Sequence, residues 1–266
     1  MLDKSKNVAH NMHKKEARIM SQSSLEKFRD LLCSAHRAVF FGGAGVSTES
    51  GIPDFRSTDG LYSQQWDDPP ETILSHTYFT RRTEDFFRFY RQKMLFPLAS
   101  PNAAHRALAE LEDRGMLSAV ITQNIDGLHQ AAGSRHVIEL HGSVHRNHCV
   151  RCGKFFSLED VMKTEGVPRC SCGGVIKPDV VLYEEALPYD AMEDAIASIS
   201  RADLMIIGGT SLAVYPAAGF AADYHGPLVI INRSPTPMDS RADLLIDRPI
   251  GETFRAVMQL MPWNQQ

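Results

Sequence analysis

The 266-residue chain contains no apolar run that approaches the roughly 20 residues of a membrane span. Its first residues lack the apolar core of a secretory signal peptide, and the acidic residues Asp3 and Glu16 do not fit a transit peptide. These absences predict a cytoplasmic protein, or a nuclear one in a eukaryote, that has no membrane partner. Residues 1–22 are polar, and we expect them to form a flexible tail.

An excess of basic residues is also absent, since 28 Lys and Arg residues stand against 32 Asp and Glu residues. Without a basic field, we expect no direct binding to nucleic acid. Hydrophobic residues make up 43% of the chain and charged residues 23%, which are ordinary fractions for a globular protein. The length and composition predict a large α/β domain that carries a smaller insertion.

Cysteine is scarce, and five cysteines in a chain of this size without a secretory signal do not predict a disulfide framework. Four of them form two pairs, Cys149-x2-Cys152 and Cys170-x-Cys172, with 17 residues between the pairs. Pairs of this kind are typical of a tetrahedral zinc site. Four thiolates leave no open coordination position, so we predict one structural zinc ion rather than four reduced cysteines without metal.

Short apolar runs alternate with helical patterns along the chain, and each run is followed at once by a polar or glycine-rich loop. The runs span residues 38–41, 118–122, 137–140, 204–207 and 228–231. Nearly continuous apolar strands that alternate with helices predict a parallel sheet covered by helices on both faces. Because the carboxyl ends of parallel strands meet at one edge, we expect the five loops to converge on one ligand-binding crevice.

The loop after the first strand contains Gly43 and Gly45, which match the start of the dinucleotide-binding fingerprint. The third glycine of that fingerprint would fall at Thr48, and no clear second strand ends in an acidic residue about 20 residues later. The residues alone therefore leave two interpretations open, a nucleotide-binding loop and a structural turn.

Two further strands end in side chains that are suited to chemistry. Asn124 and Asp126 could hold a carboxamide or ribose hydroxyls, or they could cap the following helix. His141 could act as a general base near neutral pH, or it could be a packed residue. Two other histidines, His145 and His148, flank the cysteine pairs and could compete as zinc ligands.

Taken together and in this order, several motifs resemble the sirtuins, which are NAD-dependent protein deacylases. The motifs are Gly43-Ala-Gly-Val-Ser, Ser50-Gly-Ile-Pro-Asp-Phe-Arg-Ser57, Thr122-Gln-Asn-Ile-Asp-Gly-Leu-His129, His141-Gly142, the cysteine pairs, Gly209-Thr-Ser-Leu212 and Pro216-Ala-Ala218. The resemblance implies a Rossmann-type doubly wound parallel sheet made of residues 23–56, 101–144 and 178–266. A helical cofactor-loop insertion at 57–100 and a zinc-binding module at 145–177 would form a small domain.

The same resemblance implies an NAD site between the two domains. Asn124, Asp126 and His141 would be catalytic. The implied cofactor contacts are Gly43, Ala44, Gly45, Ser47, Ile52, Asp54, Phe55, Arg56, Gln123, Asn124, Ile125, Asp126, Gly209, Thr210, Ser211, Asn232 and Ile250. An acylated peptide would add as a strand, with contacts at Val180, Val181, Tyr183 and Glu184.

The implied reaction transfers the acyl group of an acyl-lysine side chain to ADP-ribose and releases nicotinamide and free lysine, so NAD is consumed. Mono-ADP-ribosyl transfer and removal of longer acyl groups are alternatives that use the same pocket. Desuccinylating members carry Tyr-x2-Arg where this chain has Arg88-x2-Arg91, so we expect neutral acyl groups, acetyl first, as in bacterial-type members. Tyr183-Glu184-Glu185 replaces a more usual Phe-Gly-Glu, which bears on peptide preference.

Overall fold

The computed structural model describes residues 22–55, 60 and 66–264. The predicted tail therefore lies almost wholly outside the described residues, as does Arg56 of the predicted cofactor site. The described strands, in chain order, are β1 Ala38–Gly42, β2 Leu117–Thr122, β3 Val137–Glu139, β4 Gly142–Cys149, β5 Phe155–Ser157, β6 Ile176–Val180, β7 Leu204–Gly208, β8 Leu228–Ile231 and β9 Leu244–Ile246. The helices are α1 at 22–34, α2 Pro70–Ile73, α3 His76–Arg81, α4 Thr83–Lys93, α5 Ala103–Asp113, α6 Leu128–Ala131, α7 Leu158–Met162, α8 Tyr189–Ser200, α9 Ala217–Ala222 and α10 Ile250–Gln259.

Six of these strands form a parallel sheet in the order β3-β2-β1-β7-β8-β9. When the strands of this sheet alone are counted, the order is 3-2-1-4-5-6, that of the doubly wound Rossmann fold. The prediction of a Rossmann-type parallel sheet is therefore confirmed. The strand order reverses between β1 and β7, where Gly42 lies opposite Gly208. Ligands bind at this kind of reversal because the loops on either side diverge and leave a crevice.

Helices cover both faces of the sheet, as its apolar strands require. Successive side chains of a strand point to opposite faces, so Phe40 packs with Phe28 of α1 and Phe254 of α10. Its neighbours Val39 and Phe41 pack on the other face, in the core that α8 and α9 complete. Every residue of β1 is buried, which explains why the strand reads as a continuous apolar run.

Two insertions lie beside the carboxyl edge of the sheet. One contains α2, α3 and α4, whose aromatic residues form a core of their own around Phe86, Phe87 and Tyr90. The other contains the antiparallel sheet β5-β4-β6 and α7. Val144 and Val180 of this second sheet pack into the aromatic core of the first insertion, so the insertions support one another. The exact limits predicted for the two domains stay predictions.

Among the residues that the structure describes, no helix is both long enough and apolar enough to cross a membrane.

Candidate active site

One cavity of about 1590 Å³ runs along the carboxyl edge of the sheet, between the sheet and the two insertions. Loops that follow β1, β2, β3, β7, β8 and β9 all contribute to its lining. The predicted cofactor, catalytic and peptide residues that line it are Gly43, Ala44, Gly45, Ser47, Ile52, Asp54, Phe55, Gln123, Asn124, Ile125, Asp126, His141, Val180, Val181, Tyr183, Glu184, Gly209, Thr210, Ser211, Asn232 and Ile250. The structure thus brings these residues together, while their individual roles stay predictions.

The glycine loops after β1 and β7 pack directly against each other. The Gly45 backbone N–H donates to the Gly209 carbonyl oxygen at 2.8 Å. A Cβ on Gly45 would lie 2.8 Å from the Gly209 Cα, and Gly209 itself has a φ of 58°. Larger residues would force the two loops apart, because no side chain fits between them. The glycines therefore create a narrow backbone cradle at the point where the strand order reverses.

A hydroxyl joins the two polar loops that follow β1 and β2. The Ser47 Oγ donates to the Asp126 Oδ2 at 2.6 Å and accepts from the Asn124 Nδ2 at 3.1 Å. The other carboxylate oxygen of Asp126 accepts from the Leu128 backbone N–H at 2.9 Å. Asp126 therefore contacts the first residue of α6 and also lines the cavity, while its role in holding a ligand stays a prediction. The contacts fix the orientation of the Asn124 amide at the base of the cavity.

His141 is held in one orientation by the backbone. Its Nδ1 lies 2.9 Å from the Gln123 carbonyl oxygen, so Nδ1 carries the proton and Nε2 keeps a lone pair. Burial lowers the pKa of His141, and the hydrogen bond to Gln123 opposes part of that change. The ring is therefore neutral at neutral pH and can accept a proton at Nε2.

Asn102, the N-cap of α5, supports the β1 loop from behind, a contact that sequence patterns did not predict. Its Nδ2 donates to the Val46 carbonyl oxygen at 2.7 Å and to the Ser50 Oγ at 3.0 Å. Its Oδ1 accepts from the Ala104 backbone N–H, which caps the helix. Asn102 is only 7% exposed. A single amide side chain therefore ties the start of α5 to the loop that lines the cavity.

A second unpredicted contact joins the same loop to α10. The Glu49 Oε1 accepts from the Gly251 backbone N–H at 2.7 Å, across 202 positions of sequence. A carboxylate at a helix N-terminus is favoured by the helix dipole. The contact holds the loop against Ile250, which lines the cavity. Because the two residues are 202 positions apart, the local sequence around neither of them indicates the contact.

The segment after β6 forms a wall of the cavity and is anchored to the helical insertion. The Tyr183 backbone N–H donates to the Leu74 carbonyl oxygen, and the Tyr183 carbonyl accepts from the His76 N–H, both at 2.9 Å. Glu184, which stands where the resemblance has glycine, adopts a φ of 74°. Its Oε2 accepts from the Thr77 backbone N–H at 2.9 Å, which offsets part of the cost of that backbone conformation. The departure from Phe-Gly-Glu therefore adds a second anchor to this wall.

The Arg88-x2-Arg91 pair does not face the cavity. Arg88 is exposed and pairs with Asp85 at 2.7 Å. Arg91 donates to the carbonyl oxygens of Val161 and Gly166 and to the Thr164 Oγ1, so it joins α4 to the end of α7. Both guanidinium groups are engaged outside the cavity, which agrees with the expectation of neutral acyl groups.

The four paired cysteines form a cluster. Their sulfur atoms lie within 4.8 Å of one another, and the Cys149–Cys172 and Cys152–Cys170 sulfurs are 3.4 and 3.7 Å apart. These distances exclude disulfide bonds but fit a tetrahedral zinc ion, whose sulfur ligands lie about 3.8 Å apart when each Zn–S bond is about 2.3 Å. Within the described residues, neither His145 nor His148 joins the cluster. Four thiolates are therefore sufficient to hold a closed structural zinc site.

Comparisons with known proteins agree with this geometry. A model of the "Sir2 family" matches residues 43–216. A protein of Clostridium acetobutylicum named NAD-dependent protein deacetylase is 54% identical over 239 residues, which cover 88% of this chain and 98% of that protein. A protein of the same name from Cutibacterium acnes is 57% identical over 228 residues, 84% of this chain and 93% of that protein.

Solved structures give the same result. A complex described as Sir2 with a p53 peptide and NAD+ has a TM-score of 0.79 and 44% identity, and covers 89% of this chain and 98% of that one. A complex described as Sir2 bound to acetylated peptide has a TM-score of 0.78 and 42% identity, with the same coverage.

Proposed function

This chain belongs to the Sir2 family, and on that basis we propose that it is an NAD-dependent protein-lysine deacetylase. It transfers the acyl group of an acyl-lysine side chain to ADP-ribose and releases nicotinamide and free lysine. The observation that carries the proposal is that His141, the Asn124–Asp126 loop and the Val180–Glu184 wall line one cavity. A general base therefore lies beside both a nucleotide cradle and a groove that a protein substrate can enter.

The cradle between the two glycine loops fits a dinucleotide. Dinucleotides bind in the crevice at the carboxyl edge of such a sheet, where the strand order reverses, and the glycines let the two loops pack closely there. When bound, NAD supplies an electrophilic ribose carbon and the nicotinamide leaving group. We assign Gly43, Ala44 and Gly45 to the phosphates, and Gly209, Thr210, Ser211, Asn232 and Ile250 to the adenosine half.

The polar base of the cavity suits a carboxamide. The Asn124 Nδ2 uses one of its two N–H groups on Ser47, which leaves the second N–H and its Oδ1 for nicotinamide. Asp126 holds Ser47 in place and thereby orients Asn124. We assign Ile52, Asp54 and Phe55 to the wall that excludes water from the bond that breaks.

His141 is the general base in this proposal. With its Nδ1 proton directed at the Gln123 oxygen, the Nε2 lone pair is free to take a proton from a ribose hydroxyl. A neutral ring is required for this step, and burial, which lowers the pKa of His141, supplies it.

The peptide groove is assigned to the anchored wall after β6. Val180, Val181, Tyr183 and Glu184 line the cavity there, and Tyr215, which is 75% exposed, lines the same cavity. Main-chain pairing of an extended peptide with such a wall tolerates many flanking sequences, because specificity then lies in the side-chain pockets. The zinc ion has no part in the chemistry, since its four thiolate ligands leave no open position.

A mass-spectrometric assay with zinc-loaded protein, NAD and an acetylated peptide tests the proposal. We expect nicotinamide and acetyl-ADP-ribose in equal amounts, and the absence of both would overturn the assignment. The H141A variant should lose turnover by a factor of about 10² to 10⁴, the usual contribution of a general base, and keep its melting temperature. H36A, which changes an exposed histidine outside the cavity, is the matched control.

The same assay separates the alternatives. Succinyl and long-chain acyl peptides report the acyl preference, and NAD that labels protein in the absence of acyl-lysine would indicate mono-ADP-ribosyl transfer. A cytoplasmic location is also part of the proposal, and fractionation of the native host tests it.

A further inference from the structure

We propose that Arg146 is a positioning residue for the reaction, and that it holds His141 in place through Glu139 and Asp179. This inference rests on the proposed function, in which His141 is the general base. The Arg146 guanidinium bridges two carboxylates that belong to different sheets. Its Nη1 donates to the Glu139 Oε2 at 2.7 Å, at the end of β3 in the parallel sheet. Its Nε donates to the Asp179 Oδ2 at 3.1 Å, in β6 of the antiparallel sheet.

His141 lies where the chain passes from one sheet to the other. Only Leu140 and His141 separate the end of β3 from the start of β4. The Leu140 backbone N–H donates to the Thr122 carbonyl oxygen of β2 at 3.0 Å. The His141 carbonyl oxygen accepts from the Val181 backbone N–H, directly after β6, at 3.0 Å. Each sheet thus holds one end of this short connection, and a change in the angle between the two sheets displaces His141.

Arg146 reaches the end of β3 because β4 contains a bulge. β4 pairs with β6 at Ser143 and again at Asn147, whose partners on β6 are consecutive residues. Residues 144–146 therefore have no partner on β6. Extra residues bend a strand and redirect its side chains, and such bulges are frequent beside active sites. Here the bulge directs Arg146 back towards Glu139, seven positions earlier in the chain.

The same bulge contacts the loop after β2. The Val144 backbone N–H donates to the Ile125 carbonyl oxygen at 3.0 Å. The His145 Nε2 lies 3.0 Å from the Asp126 carbonyl oxygen and so carries the donated proton. The bulge is therefore in contact with the loop assigned to nicotinamide, and through its last residue it is linked to the segment that carries the general base. Both halves of the proposed site depend on its position.

The Glu139 carboxylate has little access to water, so the cation beside it matters. Its side chain is 9% exposed, and its Oε1 accepts from the Gln130 Nε2 of α6 at 2.8 Å. A carboxylate that loses its cation in such a place destabilises the folded chain. Arginine suits this bridge because its planar guanidinium offers separate N–H groups to two acceptors, which a single lysine ammonium does not match.

Most of the other charged groups beside the bridge have partners of their own. They line a second cavity of about 540 Å³, to which all three residues of the bridge also contribute. Lys177, the other cation that lines it within the described residues, pairs with Glu185 at 3.0 Å. Asp194 lies 2.8 Å from a ring nitrogen of His136, and Asp190 is exposed. Lys177 is therefore engaged and does not replace the arginine.

Steady-state kinetics of the zinc-loaded chain with NAD and an acetylated peptide test the inference. R146Q should lower kcat about 10- to 100-fold, because small displacements of a catalytic group have effects of this size. Titration with ADP-ribose should give a dissociation constant within about threefold of that of the unsubstituted protein, because Arg146 donates to neither glycine loop. R135Q is the matched control. Arg135 is exposed, lies outside both cavities and pairs with Asp113 at 3.1 Å, so its loss should change neither value.

The double variant E139Q/R146Q separates positioning from stability. R146Q should lower the melting temperature, because it leaves the Glu139 carboxylate without its cation. E139Q/R146Q removes that charge as well, so the melting temperature should recover while kcat stays at the level of R146Q. A kcat that recovers together with the melting temperature would overturn the inference, since Arg146 would then contribute only stability.

The outcomes also distinguish this inference from the proposed function. If the unsubstituted protein deacetylates the peptide and R146Q has a kcat within about threefold of it, the role of Arg146 is wrong and the deacetylase proposal stands. A loss of ADP-ribose affinity in R146Q as large as the loss of kcat would also contradict the inference, because Arg146 would then support the nucleotide cradle. If the unsubstituted protein yields no acetyl-ADP-ribose, the proposed function fails and the inference fails with it.

Discussion

At the scale of single residues, the orientation of His141 decides what the site can do. The backbone carbonyl of Gln123 takes the Nδ1 proton, so the ring presents a lone pair to the cavity without help from a carboxylate. The structure therefore accounts for a base that is neutral at physiological pH, because burial lowers the pKa of His141.

The lowered pKa of His141 predicts how the catalytic rate depends on pH. The folded pKa lies below the ordinary value of about 6.5, so kcat/KM for the acetyl peptide should be constant above about pH 6.5 and should fall tenfold per pH unit on the acid side of the folded pKa. Steady-state rates between pH 5 and 9 provide the measurement. An acid limb centred above pH 7 would contradict the neutral His141 described here.

Asn102 is a positioning residue, and its side-chain amide can be separated from its capping role. N102S and N102D both keep an oxygen that can cap α5, but both lack the amide N–H groups that donate to the Val46 carbonyl oxygen and the Ser50 Oγ. Because the β1 loop would lose its support, we expect kcat/KM with respect to NAD to fall about 10- to 100-fold, chiefly through a higher KM for NAD. Initial rates at varied NAD concentration provide the measurement.

The control for this prediction is T236A, which removes a side-chain hydrogen bond outside the cavity. Thr236 donates to the Asp239 Oδ1 at 2.6 Å, and its loss should lower stability by about 1 kcal/mol without a change in KM. If N102S and N102D lower only the melting temperature, Asn102 is merely structural.

At the scale of elements, α5 and α6 meet through two buried histidines. The ring centroids of His105 and His129 are 4.7 Å apart, and the side chains are 0% and 1% exposed. Within the described residues, neither ring nitrogen of His129 has a hydrogen-bond partner. Burial lowers the pKa of both rings, so the pair packs in the neutral form. The shared burial of the two rings is what makes them sensitive to acid.

The unfolding free energy should therefore depend on pH. The pKa of each of these histidines in the folded protein lies below its unfolded value of about 6.5. Below about pH 6.5 the unfolded state therefore binds more protons than the folded state. Stability is complete above about pH 6.5 and should decrease by about 1.4 kcal/mol per pH unit for each histidine on the acid side. Urea unfolding at pH 7.5 and pH 5.5 measures the decrease.

H129F removes one of the two titrating rings and keeps an aromatic side chain against Phe40, whose ring centroid is 6.1 Å away. It should reduce the difference in stability between the two pH values, whatever its effect on absolute stability. H36Q changes an exposed histidine and should leave the difference intact. A slope in H129F equal to that of the unsubstituted protein would remove His129 as a source.

At the scale of the whole molecule, the zinc cluster supports one insertion rather than the central sheet. The cysteines join the ends of β4 and β6, whereas the six parallel strands have two apolar cores of their own. Metal binding and folding are coupled in sites of this kind. We expect one zinc per chain, and chelation should abolish turnover because Val144 and Val180 support the aromatic core of the other insertion.

Hydrogen exchange after chelation provides the measurement. Residues 142–180 should lose protection, and β7 and β8 should retain it. C33S changes the exposed cysteine outside the cluster and should keep both zinc and activity. An apo protein with native protection and full turnover would contradict this role of the metal.

Much of this architecture is determined by the sequence itself. Buried parallel strands must be apolar throughout and must end in loops at one edge, so β1, β2, β3, β7 and β8 are visible as apolar runs. β9 is not, because its apolar run of three residues lies between Asp243 and Asp247 and is shorter than the other runs. The sequence by itself predicts the zinc site, because the two cysteines of each pair lie only two or three positions apart.

The tertiary structure decided the contacts that join distant segments. The folded chain places the Glu49 carboxylate against α10 and the Asn102 amide against the β1 loop, while Arg91 turns away from the cavity towards α7. Local patterns record which face of an element is buried and how it is capped, because these depend on neighbouring residues. The partner of an exposed or capping side chain depends on which elements lie side by side, and only the folded chain sets that arrangement.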